Sequence, residues 1–450
     1  MIIMKFGGTS VGGYEEISRV ISIIQGRLDK KPIVLTSAMS KVTDLLYKIA
    51  DKAAAKQTDE LETLIDNLRS RHICIAEQLL ENNVDYMLEA TSRVNEICDE
   101  LEEFAKAICV LGELSPRSKA IIISNGELLS STIIGYAMKA RGIKTAWVDA
   151  RKMIITDENS LKGEPNIQEI EKRVPEVISI AAQENEAVIT QGFIASSVSG
   201  EPTVLGRGGS DYSASLVGMA LNAEAVEIWT DVDGILTADP RKVPNAKPLD
   251  RISFEEAAEM AHFGAKVLHP STIEPAMKKN IPIYVLNSKN PYSAGTSILG
   301  GGSICDGAKS VSSKEDILVI NIFSTRMINA SGFLGKVFSI FSSNKVSVDL
   351  ISTSEANISV TIEGNQDITN VVKELSNFAT VEVDKGKAQV SVVGQNLINS
   401  PAILEKIFAP LKDVKTYMVS QGASLINLSI VVDKEVKDEV VCAIHESIFA

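Results

Sequence analysis

Through residues 1–300, short apolar, β-branched runs alternate with segments whose apolar residues recur every three or four positions. The runs lie at 1–6, 32–36, 120–124, 187–190 and 282–286. Strands that are apolar throughout, rather than on alternate positions, are buried on both faces, as in a parallel sheet covered by helices. An α/β domain over 1–300, with a mainly parallel sheet sandwiched by helices, is therefore predicted. From about 59 to 114 the strand signal vanishes. Leu61, Leu64, Ile65 and Leu68, then Val94, Ile97, Leu101 and Phe104, keep helical spacing, which predicts a helical-hairpin insertion turning near Asn82-Asn83.

The glycine-rich link Gly300-Gly301-Gly302-Ser303 marks a boundary, after which a shorter β-α-β-β-α pattern occurs twice. Gly335-Lys336-Val337-Phe338 corresponds to Glu405-Lys406-Ile407-Phe408, and Ile358-Ser359-Val360 to Ile426-Asn427-Leu428. Two ferredoxin-like modules are expected, at 313–385 and 386–450. The second ends on a helix near 434–447 and lacks a fourth strand, which residues 308–313 could supply by interleaving the modules.

With 450 residues, 45% hydrophobic and 23% charged, the chain has globular composition. Its 45 basic and 58 acidic side chains give a net charge of −13, with no long basic run, so neither nucleic acid nor an acidic membrane is expected as a partner. Five cysteines without C-x-x-C spacing, and a start that lacks signal-peptide character, suggest a cytoplasmic protein. Four histidines supply almost no zinc ligands. Any metal would be a hard cation held by carboxylate and phosphate oxygens.

The candidate chemistry sits in glycine turns. Lys5-Phe6-Gly7-Gly8-Thr9-Ser10 follows the first strand and leads into a helix, a geometry that presents backbone N–H groups and a cation to phosphate. Gly206-Arg207-Gly208-Gly209-Ser210-Asp211 adds a guanidinium suited to carboxylate or phosphate and an acid opening a helix. Thr230-Asp231-Val232-Asp233-Gly234-Ile235-Leu236, with Asp239-Pro240-Arg241 beyond it, closes an apolar strand where α/β sheets bind ligands. Ser253-x-x-Glu256 is a capping box for a helix leading to Phe263-Gly264-Ala265-Lys266-Val267-Leu268-His269-Pro270. Four cations beside glycine turns in an acidic chain suit a polyphosphate, and phosphoryl transfer asks mainly for positioned cations and Mg²⁺. The P-loop, dinucleotide-fold and protein-kinase signatures are absent.

The stretches KFGGTSVG, GRGGSD, WTDVDGI with TADPR, and FGAKVLHP, in this order and before two β-α-β-β-α units, resemble those of the aspartokinases, in particular the lysine-sensitive monofunctional type. The resemblance covers nearly the whole chain. It implies an amino-acid-kinase fold followed by two ACT regulatory modules, with no homoserine dehydrogenase after them. The implied reaction moves the γ-phosphoryl group of ATP, with Mg²⁺, to the side-chain carboxylate of L-aspartate, at the head of lysine, threonine and methionine biosynthesis. Lys5 would neutralise the transferring group, Gly7 and Gly8 would donate N–H groups to it, and Asp211 would organise the cations. Arg207, in the turn continued by Gly208, Gly209 and Ser210, would clamp the α-carboxylate of aspartate. Glu127 would receive its ammonium, and Thr43 is a further substrate position. Thr230, Asp231, Leu236, Arg241, Lys266 and Val267 would hold the nucleotide, with Leu236 where similar enzymes often carry tyrosine.

In the first module, Ser347, Val348, Asp349, Thr353, Ser354 and Glu355 are similar to the effector segment of that group, and Met327, Asn329, Gly332 and Leu334 to the loop facing it. L-lysine is the implied inhibitor. Asp349 and Glu355 would face ammonium groups, and backbone N–H groups near Gly332 and Ser347 would receive the carboxylate. A homodimer through the ACT modules is expected, or a tetramer built from it. The rival readings are another carboxylate-phosphorylating amino-acid kinase and a catalytically inactive amino-acid sensor.

Overall fold

The computed structural model describes residues 1–263, 268–300, 307–328, 331–397 and 399–450. These form two compact units, the first built from residues 1–235, 250–254 and 268–300, the second from 236–249, 255–263 and the described residues from 307 on. Beyond Gly300, the glycine link lies outside the described residues.

The first unit runs β1 (Ile2–Phe6), α1 (Tyr14–Gln25), β2 (Ile33–Thr36), α2 (Val42–Ala54), α3 (Thr58–Leu80), α4 (Val84–Leu111), α5 (Pro116–Ala140), β3 (Thr145–Trp147), β4 (Ile155–Thr156), α6 (Ile167–Ala182), β5 (Ala187–Gln191), β6 (Ile194–Ser197), β7 (Pro202–Val204), α7 (Gly209–Leu221), β8 (Ala225–Thr230) and β9 (Arg251–Ser253). After α8 (Phe254–His262), of which only Phe254 belongs here, come α9 (Pro270–Lys278), β10 (Ile283–Asn287) and β11 (Thr296–Leu299). Eight strands form one sheet in the order β3-β5-β2-β1-β8-β10-β11-β9, parallel except where β10 meets β11. β1, β2 and β5 are buried along their whole length, as expected of strands covered on both faces. A small sheet, β4-β6-β7, stands beside it.

Starting at β1, the chain builds β2, β3 and β5 on one side and later β8 and β10 on the other. The winding therefore reverses at the β1–β8 pair. At such a switch point the carboxyl ends of adjacent strands open into a crevice, and here those ends carry Gly7-Gly8 and Thr230-Asp231.

One strand assignment is corrected. Residues 120–124 lie inside α5, which starts with Ser115 capping the N–H of Ser118 and Pro116 in its first turn. The helix is long and apolar enough to cross a membrane by length and composition, yet 83% of its most apolar window is buried inside this unit. A helix apolar on all sides loses its 3.6-residue signature, so a short piece of it looks like a buried strand.

The second unit contains β12 (Gly307–Phe323), α10 (Phe333–Ser343), β13 (Ile351–Thr353), β14 (Asn357–Glu363), α11 (Thr369–Leu375), β15 (Thr380–Gln395), α12 (Pro401–Phe408), β16 (Met418–Ser420), β17 (Asn427–Asp433) and α13 (Lys437–Phe449). Its six strands form an antiparallel sheet, β13-β14-β12-β15-β17-β16. The two long central strands serve both repeats. The first part of β12 pairs with the second part of β15, from Gly307 opposite Gln395 to Lys314 opposite Gln389, and Val319 to Phe323 pair with both β14 and the start of β15. The register shifts between Lys314 and Ile317. Each repeat keeps its own core, one around Val337, Phe341 and Val360, the other around Val392, Ile430 and Ile444.

Candidate active site

β1 aligns Lys5 opposite Leu35 of β2 and Ile228 of β8, in the most buried part of the sheet. Its ammonium is 2.5 Å from the carboxylate of Asp211, and both side chains are largely buried. Asp211 reaches it because α7 begins immediately after Gly208, whose φ of +71° turns the chain into the helix. A side chain at Gly208 would also press to 2.5 Å from the Cβ of His269, which caps α9.

The turn after β1 packs on the turn after β2. A Cβ at Gly8 would come within 2.9 Å of the Ala38 carbonyl oxygen, so only glycine fits there. The N–H of Gly7 donates to the Trp229 carbonyl, 3.1 Å away, and so extends the β1–β8 ladder. This corrects the expectation that both glycines offer N–H groups to phosphate: the Gly7 donor is already engaged. What Gly7 supplies is room beside the Lys5 ammonium, 3.6 Å from where its Cβ would stand.

Beneath these turns lies Glu127 of α5, 3% exposed. Its Oε1 accepts the Ala38 N–H at 3.0 Å, while its Oε2 is buried and meets no donor among the described residues. Burial raises the carboxyl pKa to about 8, against the opposing pull of the Ala38 N–H and of the Lys5 charge. Gly126 permits the approach, because a Cβ there would fall 2.7 Å from that of Ala38. Ser37 donates to the Ser210 hydroxyl at 3.0 Å, joining the end of β2 to the first turn of α7. Ser37 and Ala38 are thus site residues that motif reading passed over. Their signal was position alone, at the carboxyl end of the strand beside β1.

Arg207 is exposed, with no ion-pair partner among the described residues. Burial first, then the charges of Arg207 and Lys162, hold the pKa of His269 below its ordinary value, and Asp211 opposes them. Lys162, Arg207, His269 and Asp211 thus surround one turn, and Lys162 was not singled out by its sequence context. Thr43 is the second residue of α2 and half-buried, and Tyr47, one turn on, feels the Glu127 charge after its own burial. Thr230 ends β8 with its hydroxyl 3.4 Å from Asp231. Leu236 and Arg241 belong to the second unit, where Arg241 is exposed and forked onto Asp239. Lys266, Val267 and Asn329 lie outside the described residues. Among the described residues no group of three or more His, Cys, Asp or Glu side chains could hold a metal ion.

In the second unit, Gly332, with φ +84°, starts α10, which has no side-chain cap, and Leu334 is exposed in its first turn. Met327 packs at the edge of the first repeat's core, as does Val348. Thr353, Ser354 and Glu355 are exposed. Two groups of the expected effector segment already have partners within this unit. Asp349 is paired with Lys314, and the Ser347 N–H donates to the side chain of Gln366.

Residues 1–287 match the amino acid kinase family, and residues 320–377 and 390–448 each match the ACT domain. The lysine-sensitive aspartokinase 3 of Escherichia coli (strain K12) is 35% identical over 463 residues, covering 100% of this chain and 99% of that protein. The chain belongs to the aspartokinase family. Among solved structures, E. coli aspartokinase III in complex with aspartate and ADP (R-state) matches with a TM-score of 0.89, 33% identity and full coverage of both chains. The same enzyme with lysine and aspartate (T-state) matches at 0.79, again with 33% identity and full coverage. Both units of this aspartokinase-family chain therefore have counterparts in one solved enzyme.

Proposed function

We propose that the chain phosphorylates the side-chain carboxylate of L-aspartate with ATP and Mg²⁺, as the first step toward lysine, threonine and methionine, and is inhibited by L-lysine. The observation that carries the substrate is Glu127: a buried oxygen without a donor, next to a lysine held by an aspartate, is a socket for an ammonium group. An amino acid seated there by its ammonium, with its α-carboxylate on Arg207, directs its side chain toward Lys5. The solved relative with aspartate and ADP supports the same pair of ligands.

The reaction balances without a general base. An oxygen of the side-chain carboxylate, already ionised at neutral pH, attacks the γ-phosphorus in line. The bond from that phosphorus to the bridging oxygen breaks, and ADP leaves with the electron pair. Charge moves onto the equatorial and bridging oxygens, where Lys5 would supply positive charge; Mg²⁺ bound with the nucleotide would supply further positive charge. Asp211 fixes the Lys5 ammonium so that it need not reorganise during transfer.

The relative named as lysine-sensitive and the solved lysine complex support lysine feedback, which we assign to the first ACT repeat. A homodimer joined by ACT modules, or a tetramer of such dimers, in the cytoplasm completes the reading. The decisive assay supplies ATP, Mg²⁺, hydroxylamine and a panel of acidic amino acids, because hydroxylamine traps an acyl phosphate as a hydroxamate. Hydroxamate from aspartate is expected; equal formation from glutamate would reject the substrate, and none from either would reject the reaction.

A further inference from the structure

The acid proposed to receive the effector's ammonium already holds one. Lys314 Nζ lies 3.0 Å from Asp349 Oδ2 and 2.7 Å from Glu363 Oε1. The Asp349 side chain is only 8% exposed and that of Lys314 20%. Burial opposes the Lys314 charge, but the bonds from Glu363 and Asp349 outweigh it and raise its pKa. Two residues before Asp349, the Ser347 N–H donates to Gln366 Oε1 at 2.7 Å, and Gln366 Nε2 returns a bond to the Ser347 carbonyl at 3.1 Å. A primary ammonium on Asp349 and a carboxyl-type oxygen on the Ser347 N–H imitate two of the three charged groups that free lysine would bring.

We propose that Lys314 and Gln366 are built-in occupants of the effector site, and that L-lysine binds by displacing them, ammonium for ammonium at Asp349 and carboxylate for carboxamide at Ser347. This rests on the proposed lysine feedback. The exchange at Asp349 conserves charge, since one ammonium leaves as another arrives, and the released Lys314 keeps Glu363. Its cost sets the lysine concentration at which the site fills, so the strength of the internal pair tunes the threshold of inhibition.

The position of Lys314 gives the exchange a route to the rest of the unit. It is the last residue of β12 before the register shift at which that strand passes from the second repeat to the first. The next two residues are tied to the second repeat, Glu315 to Lys437 and Asp316 to Lys434, the latter at 2.6 Å. Asp316 has a φ of +56°, a conformation uncommon outside glycine. The bulge is thus clamped by ion pairs to both repeats, and freeing Lys314 from Asp349 opens the clamp on one side.

The test is calorimetric titration of L-lysine into the full chain, for wild type, Lys314→Met, Glu363→Gln and Gln366→Ala, each first checked for an unchanged circular-dichroism spectrum and melting transition. Lys314→Met keeps the stem and removes the competing charge, so its affinity is expected to rise by on the order of tenfold, the scale of one charge-assisted hydrogen bond. Glu363→Gln leaves Lys314 leaning on Asp349 alone, so affinity is expected to fall several-fold. Gln366→Ala is expected to tighten binding. An ion pair that only supports the fold would move the two charge variants in the same direction. If wild type binds lysine and Lys314→Met binds no tighter, the built-in competitor is overturned while lysine feedback stands. If Lys314→Met binds and wild type does not, the competitor stands and masks the site. If neither binds at millimolar lysine, both readings fall.

Discussion

Replacing Glu127 by Gln keeps the shape of the buried side chain and its bond from Ala38 while removing the ability to ionise. In the wild type, a carboxyl whose pKa burial has raised to about 8 is about nine-tenths protonated at pH 7. The difference from its ordinary 4.5 is 8 − 4.5 = 3.5, so on the order of 5 kcal/mol disfavours the ionised form in the unliganded protein. An ammonium placed on the orphan Oε2 reverses that preference. Aspartate binding at pH 7 is therefore expected to release about 0.9 proton from this site, falling to about 0.1 at pH 9, where the group is already ionised. Calorimetry in two buffers of different ionisation enthalpy measures the proton count directly. Glu127→Gln is expected to bind aspartate more weakly and to show none of this release. The same sign applies to stability. A folded-state pKa raised above the unfolded value means the native protein holds the extra proton, so its contribution declines as pH rises from about 4.5 to 8 and is not lost on acidification. Proton release in Glu127→Gln equal to wild type, or none in wild type between pH 6 and 8, would refute the assignment.

Lys5→Ala removes a cation at the position of developing charge and is expected to lower turnover by about 10²-fold or more with little change in the aspartate KM; near-normal turnover in a steady-state assay would take Lys5 out of the mechanism. Arg207→Ala is expected to raise the aspartate KM far more than it lowers kcat, since a clamp on a non-reacting carboxylate acts equally in ground and transition states. An unchanged KM would misplace the clamp. Gly208→Ala meets both a φ of +71° and a 2.5 Å approach to His269, so a loss of about 1–3 kcal/mol is expected, read as a lower Tm; a Tm equal to wild type would show that the turn relaxes freely.

Features set by local chemistry were legible in the sequence. Gly206 and Gly208 mark left-handed turns with φ of +76° and +71°, and Gly8 marks a close approach of two backbones, so the glycine pattern around Arg207 and after β1 pointed directly at the crevice. Features set by tertiary pairing were not. Whether residues 120–124 belong to a strand or a helix depends on what surrounds them, because an apolar run carries no period of its own. That the Gly7 N–H is taken up by a sheet bond follows only from Trp229 lying alongside in β8, more than two hundred positions away in the chain. That Asp349 already holds an ammonium was not legible, because its partner Lys314 is 35 positions away in β12 and another strand, β14, supplies Glu363 to the same lysine.

The charges at the switch point explain how a chain with a net charge of −13 takes two anionic substrates. Lys5 and Asp211 cancel each other, and Glu127, with a pKa of about 8, adds almost no negative charge at pH 7 before substrate arrives. The floor of the crevice is then close to neutral, and the exposed Arg207 and Lys162 beside the turn into α7 add positive charge, against the exposed Asp231 after β8. Such a local field, more than the distant net charge, governs what enters a cleft with low-dielectric walls. In the proposed binding mode, the amino acid's ammonium and the newly ionised Glu127 would neutralise each other, its α-carboxylate would meet Arg207, and one carboxylate would remain uncompensated. That carboxylate is the nucleophile. In the same proposal, Lys5, toward which that side chain points, is already neutralised by Asp211 in the ground state and would act on the charge that appears on the phosphoryl oxygens during transfer.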